Sequence, residues 1–397
     1  MSATACLAFI LLQQQIVEGS QTPAGDRAPR PIEDPSGQAM HGFYEALHRA
    51  YQGEWVTRIV HYGDSHVAAD ILTGALRREF QLFFGDAGAG FVLPSCPWYS
   101  RTGVSSRASA GWQIDGATQA SLADGRFGLA GVSLNATASG EWMTLTTTAS
   151  YFDIYFLKQP GGGAVDILLD GVEQKRNVSL ASRTFEPGYL EVVAEGGRAH
   201  TIEICTTSAG RTQIFGIAIE RNSAGVVYDA LGINGARASR PLRWNWKLLA
   251  SNLERRDPDL IIVAYGSNEV SDADLDLEEY QKHFTTLLER FRRAAPRASV
   301  LVISPPDRAV LASRRWKTVA RMSALVEAQR RAAFKSSAAF YDLFSAMGGA
   351  GAIGRWATQA RPLAQADRVH LTSAGYRIVA GWIYSALMEG YLRAISS

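Results

Sequence analysis

Hydrophobic and polar positions alternate between two textures along the chain. Over residues 42–91 the pattern predicts helix, strand, helix: an apolar run at 57–62 precedes Leu72, Leu76, Phe80 and Phe83 at helical spacing. From about residue 98 to 220 the pattern changes to short β-prone runs at 142–147, 151–157, 165–169, 190–193, 200–205 and 213–219. Turn signals such as Gly161-Gly162-Gly163, Asp170-Gly171 and Gly196-Gly197 separate these runs, a rhythm that predicts a β-sandwich. After Val226 the helix–strand rhythm returns, with strands at 226–229, 260–265, 299–304 and 339–342 and helices at 241–253, 275–294, 316–334 and 373–392. In the 275–294 helix, Leu277, Tyr280, Phe284, Leu287, Leu288 and Phe291 make one apolar stripe. Continuous apolar strands alternating with amphipathic helices imply a parallel sheet covered on both faces.

The predicted organisation is therefore a leader and linker (1–40), a first α/β segment (41–98), an inserted β-sandwich (99–223) and a second α/β segment (224–397). In such sheets ligands bind beyond the carboxyl ends of the strands. Ser65, Asn268 and the Pro305-Pro306-Asp307 turn all fall there.

Gly63-Asp64-Ser65 follows the first strand, and Asp367-Arg368-Val369-His370 precedes the last helix. A serine hydroxyl attacks only when a base removes its proton, and an imidazole does so best when a carboxylate fixes its tautomer. Ser65, His370 and Asp367 supply those three parts. Read singly, Gly-Asp-Ser is equally a helix cap, and Asp367 to His370 a surface loop. Asn268, in Tyr265-Gly266-Ser267-Asn268, offers a neutral amide to an oxyanion, although Asn is also common in turns. Gly235 allows close approach of a backbone N–H or takes a positive φ.

Gly63-Asp64-Ser65, Gly235, Gly266-x-Asn268 and Asp367-x-x-His370 fall in the order of the four blocks of SGNH (GDSL-type) hydrolases, which this chain resembles over about residues 56–95 and 225–395. The resemblance implies a flavodoxin-like three-layer α/β sandwich, Ser65 as nucleophile, His370 as base and Asp367 as its orienter. It further implies an oxyanion hole from the Ser65 N–H, the Gly235 N–H and the Asn268 side chain. Glu269 stands where many members carry Asp, and a supporting role is expected of it; His66 stands where Leu usually follows the serine. That His66, the run Phe84-Gly85-Asp86-Ala87-Gly88-Ala89-Gly90-Phe91 and the β insert are similar to the bacterial peptidoglycan O-acetylesterases, whose insert resembles a carbohydrate-binding module. This narrower likeness implies an acetyl ester on a cell-wall glycan as substrate. An O-acetyltransferase, an esterase of another acetylated polysaccharide such as xylan, and a non-catalytic wall-binding protein are the alternatives.

The remaining histidines are expected elsewhere: His66 lining the pocket, His61 in the core, and His41 and His48 on the first helix at the surface or in packing. Gly349 to Gly354 matches G-x-G-x-x-G but opens no first strand–helix unit, so a flexible loop is expected there and no dinucleotide. No G-x-S-x-G elbow occurs.

Forty basic and thirty-eight acidic residues are spread evenly for a net charge of +2, with no basic run interleaved with aromatics, so nucleic acid is not an expected partner. Nine Trp and fourteen Tyr leave aromatics available for a sugar platform. Cys6, Cys96 and Cys205 lack zinc spacing, so no metal or other cofactor is expected; free buried thiols are favoured over a Cys96–Cys205 pair. The apolar run at 5–12 is too short to span a bilayer and resembles a secretory core, although no Lys or Arg precedes it. Export to the periplasm or cell wall is expected; the oligomeric state is left open.

Overall fold

The computed structural model describes residues 30–116 and 124–396. The leader run and Cys6 lie outside the described residues. Five strands form one parallel sheet: β1 (Val56–Gly63), β2 (Gly225–Gly232), β3 (Leu260–Ala264), β4 (Ser299–Ile303) and β5 (Ala339–Tyr341), in the order β2-β1-β3-β4-β5. This is the flavodoxin-like order, whose switch point lies between β1 and β3.

Helices α1 (His41–Tyr51), α2 (Leu72–Phe84), α3 (Trp246–Arg256), α4 (Leu277–Ala294), α5 (Met322–Lys335) and α6 (Ser373–Ser396) cover the sheet. Alternate strand residues face opposite layers. Ile59, Val226, Ile262 and Leu301 pack with α1, α2 and α6, whereas Val60, Ile261, Val263 and Val302 pack with α3, α4 and α5. The predicted stripe of α4 is buried at Tyr280, Phe284, Leu287, Leu288 and Phe291, and Asp276 caps the helix by accepting from the Glu278 and Glu279 N–H groups.

The insert is two packed antiparallel sheets. One contains Glu186–Val193, Tyr151–Lys158, Thr212–Glu220, Ser133–Ala136 and Gln113–Asp115; the other contains Ser105–Ala108, Trp142–Thr148, Ala199–Thr206, Ala164–Leu169 and Val172–Ser179. The strand Gly90–Val92, N-terminal to the expected insert, already pairs with Thr212–Glu220. The last strand of the second sheet is almost wholly exposed, so it carries no alternation by which the sequence could have betrayed it.

The two parts share a core. Tyr62 on β1 stacks on Phe291 of α4 and donates its hydroxyl to the Leu129 carbonyl of the insert. Arg256 of α3 is buried and binds both Asp229 of β2, at 2.6 Å, and Glu220 of the insert, which Arg58 of β1 also holds at 2.7 Å. Removing one member of a buried charge network leaves the others uncompensated. Arg256→Ala is therefore expected to cost about 3–5 kcal/mol, read as a lowered urea midpoint with a single cooperative transition; two separated transitions would show that the parts fold independently.

Two expectations are corrected. The helix predicted from residue 316 begins at Met322, because Ala309–Ala312 and Arg315–Thr318 form an antiparallel hairpin. Its two-residue turn, Ser313-Arg314, has positive φ at both positions, the geometry of a tight hairpin turn built without the usual Asn-Gly signal. The Gly349–Gly354 stretch is not a plain loop: a short helix, Ala352–Ala357, begins within it. Its Ile353 N–H is held by the buried Asp307 carboxylate at 2.9 Å.

Cys96 and Cys205 are free thiols, Cys96 buried and Cys205 half-buried. Among the described residues no helix is long and apolar enough to cross a membrane.

Candidate active site

The register of the sheet brings three loops together. Gly63 at the end of β1 lies opposite Gly232 of β2 on one side and Ala264 of β3 on the other. The loops carrying Ser65, Gly235 and Asn268 therefore leave the sheet side by side. Gly63 is required there, since a Cβ would lie 2.3 Å from Val67 and 2.7 Å from the Ala264 carbonyl.

After Gly63 the chain turns sharply. The Asp64 carboxylate accepts the His66 N–H at 2.9 Å, and its carbonyl accepts from Val67 and Ala68. Asp64 is thus the cap of this turn, which leaves the half-buried Ser65 with its hydroxyl free to face the last loop. Ser65 Oγ lies 2.9 Å from His370 Nε2, and His370 Nδ1 lies 2.7 Å from Asp367 Oδ2. The other oxygen of Asp367 accepts the backbone N–H groups of Val369 and His370 at 2.9 and 3.1 Å. Burial raises the Asp367 pKa, but the hydrogen bonds from the His370 ring and from these two N–H groups outweigh it and hold the carboxylate below its ordinary value. The ionised carboxylate fixes the proton on Nδ1, so that Nε2 faces the hydroxyl as an acceptor.

Gly235 takes φ +71° in open space, so the left-handed backbone, not crowding, calls for glycine. Among the described residues the Ser65 and Gly235 N–H groups donate to nothing else. The Asn268 amide spends one N–H on the Ala236 carbonyl at 2.9 Å and keeps the other. All five residues singled out from the sequence are thus brought to one edge of the sheet.

Glu269 is buried beside them and accepts the Ala238 N–H at 2.7 Å. Together with the Asn268–Ala236 bond, this ties the loop that carries Gly235 to the loop that carries Asn268. Burial pushes the Glu269 pKa up, opposed by the Ala238 N–H, to about 7. The folded protein holds this proton more tightly than the unfolded chain, so the group favours the fold at acid pH. That contribution declines as pH rises from the ordinary 4.5 through about 7. Glu269→Gln is expected to flatten the fall in Tm between these limits; Asp259, pushed up to about 6 by burial, keeps a smaller slope in both proteins. An unchanged Tm–pH curve in the variant would contradict this assignment.

His66 is buried, 2.9 Å from the Tyr376 hydroxyl through Nδ1, and its ring sits 5.5 Å from that of His370. Burial lowers its pKa. It packs behind His370 and does not reach Ser65. His61 is a core residue, bonded to the Tyr228 hydroxyl at 2.8 Å and held neutral by burial, which takes its pKa down to about 3. His41 is exposed beside Glu45, and His48 contacts Tyr391. Two neighbours escaped the sequence reading. Tyr376 is one of many buried apolar positions of α6, with nothing local to set it apart. Arg308, which donates to the Ser267 carbonyl, directly follows the Pro305-Pro306-Asp307 turn, and that strand-end position was the available signal.

Among the described residues no group of His, Cys, Asp and Glu side chains could hold a metal ion. What the arrangement can do is transfer a proton from a hydroxyl to an imidazole beside three unengaged N–H donors, the requirements of acyl transfer.

The GDSL-like lipase/acylhydrolase family matches residues 201–378, a span that holds Gly235, Asn268, Asp367 and His370 but not Ser65, which lies N-terminal to it. A solved structure of a peptidoglycan O-acetylesterase in action superposes with a TM-score of 0.78 at 25% identity, covering 92% of this chain and 99% of that one. The chain carries a GDSL-like acylhydrolase domain and is a carboxylic ester hydrolase. Its core and its insert both fall within this superposition, and the likeness places this SGNH hydrolase among acetylesterases. A family two carbohydrate esterase from Clostridium thermocellum in complex with cellohexaose matches at 11% identity and a TM-score of 0.28, covering 70% of this chain and 98% of that one. Another from Cellvibrio japonicus matches at 12% and 0.30, covering 74% and 99%. Neither likeness is close enough to carry an argument. No curated protein matches the chain in sequence.

Proposed function

We propose that this hydrolase removes O-acetyl groups from a cell-wall glycan, peptidoglycan, through an acetyl-enzyme on Ser65. The observation that carries this reading is the line Ser65–His370–Asp367 at the switch point of the sheet, beside the open N–H groups of Ser65, Gly235 and Asn268. In the first half-reaction His370 Nε2 takes the Ser65 proton as Oγ attacks the acetyl carbon. The carbonyl oxygen becomes an oxyanion received by the three donors, and the imidazolium returns its proton to the departing sugar oxygen. In the second, His370 takes a proton from water, whose oxygen attacks the acetyl-enzyme; acetate leaves and Ser65 recovers its proton. Asp367 remains ionised throughout and stabilises the imidazolium.

An acetyltransferase would use the same residues with a sugar hydroxyl in place of water. The exposure of the pair, 35% for the His370 side chain and 44% for Asp367, favours water as acceptor. In this reading residues 41–98 and 224–397 form the hydrolase and 99–223 the insert, which contributes glycan contacts, and the protein is exported to the wall. The shared core makes excision of the insert a poor test, because it would expose the apolar surface around Tyr62.

The test is acetate release from O-acetylated peptidoglycan and from acetylated xylan. Wild type is expected to favour peptidoglycan, and Ser65→Ala to release no acetate above buffer. A preference for xylan would overturn the substrate and leave the esterase chemistry intact.

A further inference from the structure

We infer that the buried guanidinium of Arg240, on the segment that leaves β2 through Gly235, binds one small monovalent anion, a halide or a short carboxylate such as acetate. The site stands apart from the ester chemistry, and its readout is ion binding.

Four arginines are buried among the described residues: Arg77, Arg101, Arg240 and Arg256. Three of them have carboxylates. Arg77 and Arg101 share Asp70 at 2.7 and 3.1 Å, and Arg256 holds Asp229 at 2.6 Å together with Glu220. Among the described residues Arg240, only 4% exposed, has none. Its Nε and Nη2 are closed off from solvent without a hydrogen-bond partner. Nη1 is unbonded too but is not closed off, so an ion can reach the guanidinium tip from that side.

The surroundings supply no counter-charge. Burial lowers the Arg240 pKa and the nearby Arg243 adds to this; acting the other way are the hydroxyls of Tyr265 and Tyr99. Burial raises the pKa of both tyrosines and so keeps them neutral. A guanidinium does not escape by losing its proton, as a buried lysine does. An unpaired buried charge is costly, and an anion at the tip offsets that cost through charge-assisted bonds from Nη1 and Nη2. Ala236, Ala238 and Trp244 of the same segment lie in one apolar cluster with Tyr99 and Tyr265. With one cation, apolar neighbours and so small an opening, a divalent or bulky anion would shed water that the site does not replace.

The position gives the ion a consequence. Arg240 donates its N–H to the Arg237 carbonyl at 2.9 Å, and its carbonyl accepts from Arg243 at 3.0 Å. Two residues before it, Ala238 is held by Glu269. An ion at Arg240 therefore fixes the far end of the segment that begins at Gly235.

The experiment follows the Tm of the full chain as sodium chloride or sodium acetate replaces sodium gluconate at constant ionic strength. Wild type is expected to gain roughly 2–4 °C, saturably, once the ion exceeds its dissociation constant about tenfold. Arg240→Met, which keeps the stem and removes the charge, should gain nothing. In gluconate alone the variant should melt no lower than wild type, because an unpaired buried charge has been removed; an arginine that serves packing alone would make it melt lower in every salt. A stronger response to acetate than to chloride would identify a carboxylate, the product of the proposed reaction, as the ion held, and the reverse a halide. Should Arg240→Met not fold, Arg240→Gln repeats the comparison. Broadening of the chloride-35 NMR line by wild type, reversed by acetate, then reads the site directly. Equal salt responses in wild type and variant, or no saturable response and no line broadening in wild type, would overturn the inference.

Discussion

Ser65→Ala and His370→Ala are each expected to lower kcat for an acetyl ester by roughly 10⁴-fold or more, and the double variant to be no slower than either single one. In the proposed mechanism the hydroxyl and the imidazole act as one unit across 2.9 Å: without the base the hydroxyl keeps its proton, and without the hydroxyl the base has nothing to activate. Once one is gone, the other has no remaining contribution to lose. Neither substitution empties the core, because Ser65 is half-buried on a turn that Asp64 holds and His370 is half-exposed. Circular dichroism and Tm should therefore match wild type. A double variant slower by the product of the two single effects would mean that the residues act separately, contrary to the proposed mechanism.

Asn268→Ala is expected to lower kcat by roughly 10²–10³-fold, about 2.7–4 kcal/mol, with KM little changed. In the proposed mechanism the free N–H of its amide acts on charge that exists only as the acetyl carbonyl becomes an oxyanion, so its loss falls on the transition state and spares substrate binding. Part of the loss is indirect: the other N–H holds the Ala236 carbonyl and thereby the loop of Gly235. Asn268→Asp, which keeps the shape but places a carboxylate where the oxyanion forms, should be slower than the alanine variant. A rise in KM at constant kcat would assign Asn268 to substrate binding and remove it from the oxyanion site.

Much of this was legible in the sequence because the relevant signals are local. The apolar runs that became β3 and β4 are buried on both faces and so read as unbroken. Ser65, Gly235, Asn268, Asp367 and His370 each sit at a strand end or on the loop before a helix, where side-chain type and position can be read together. What escaped depends on long-range pairing. The Arg315–Thr318 strand exists because Ala309–Ala312 pairs with it; without that partner, Trp316 and the residues after it fit a helix equally well. The Arg58–Glu220–Arg256–Asp229 network joins residues far apart in the chain, and nothing local marks any of them as buried. Glu269 was noticed as a departure from the family's usual Asp. Its partner, the Ala238 N–H, is a backbone group that no residue type announces.

The most direct test of the central claim is mass spectrometry of protein quenched during turnover of an acetyl ester. The account predicts an acetyl adduct on the peptide containing Ser65 in wild type, and none in His370→Ala under the same conditions. An active wild-type enzyme whose acetyl adduct lies on any residue other than Ser65 would contradict it.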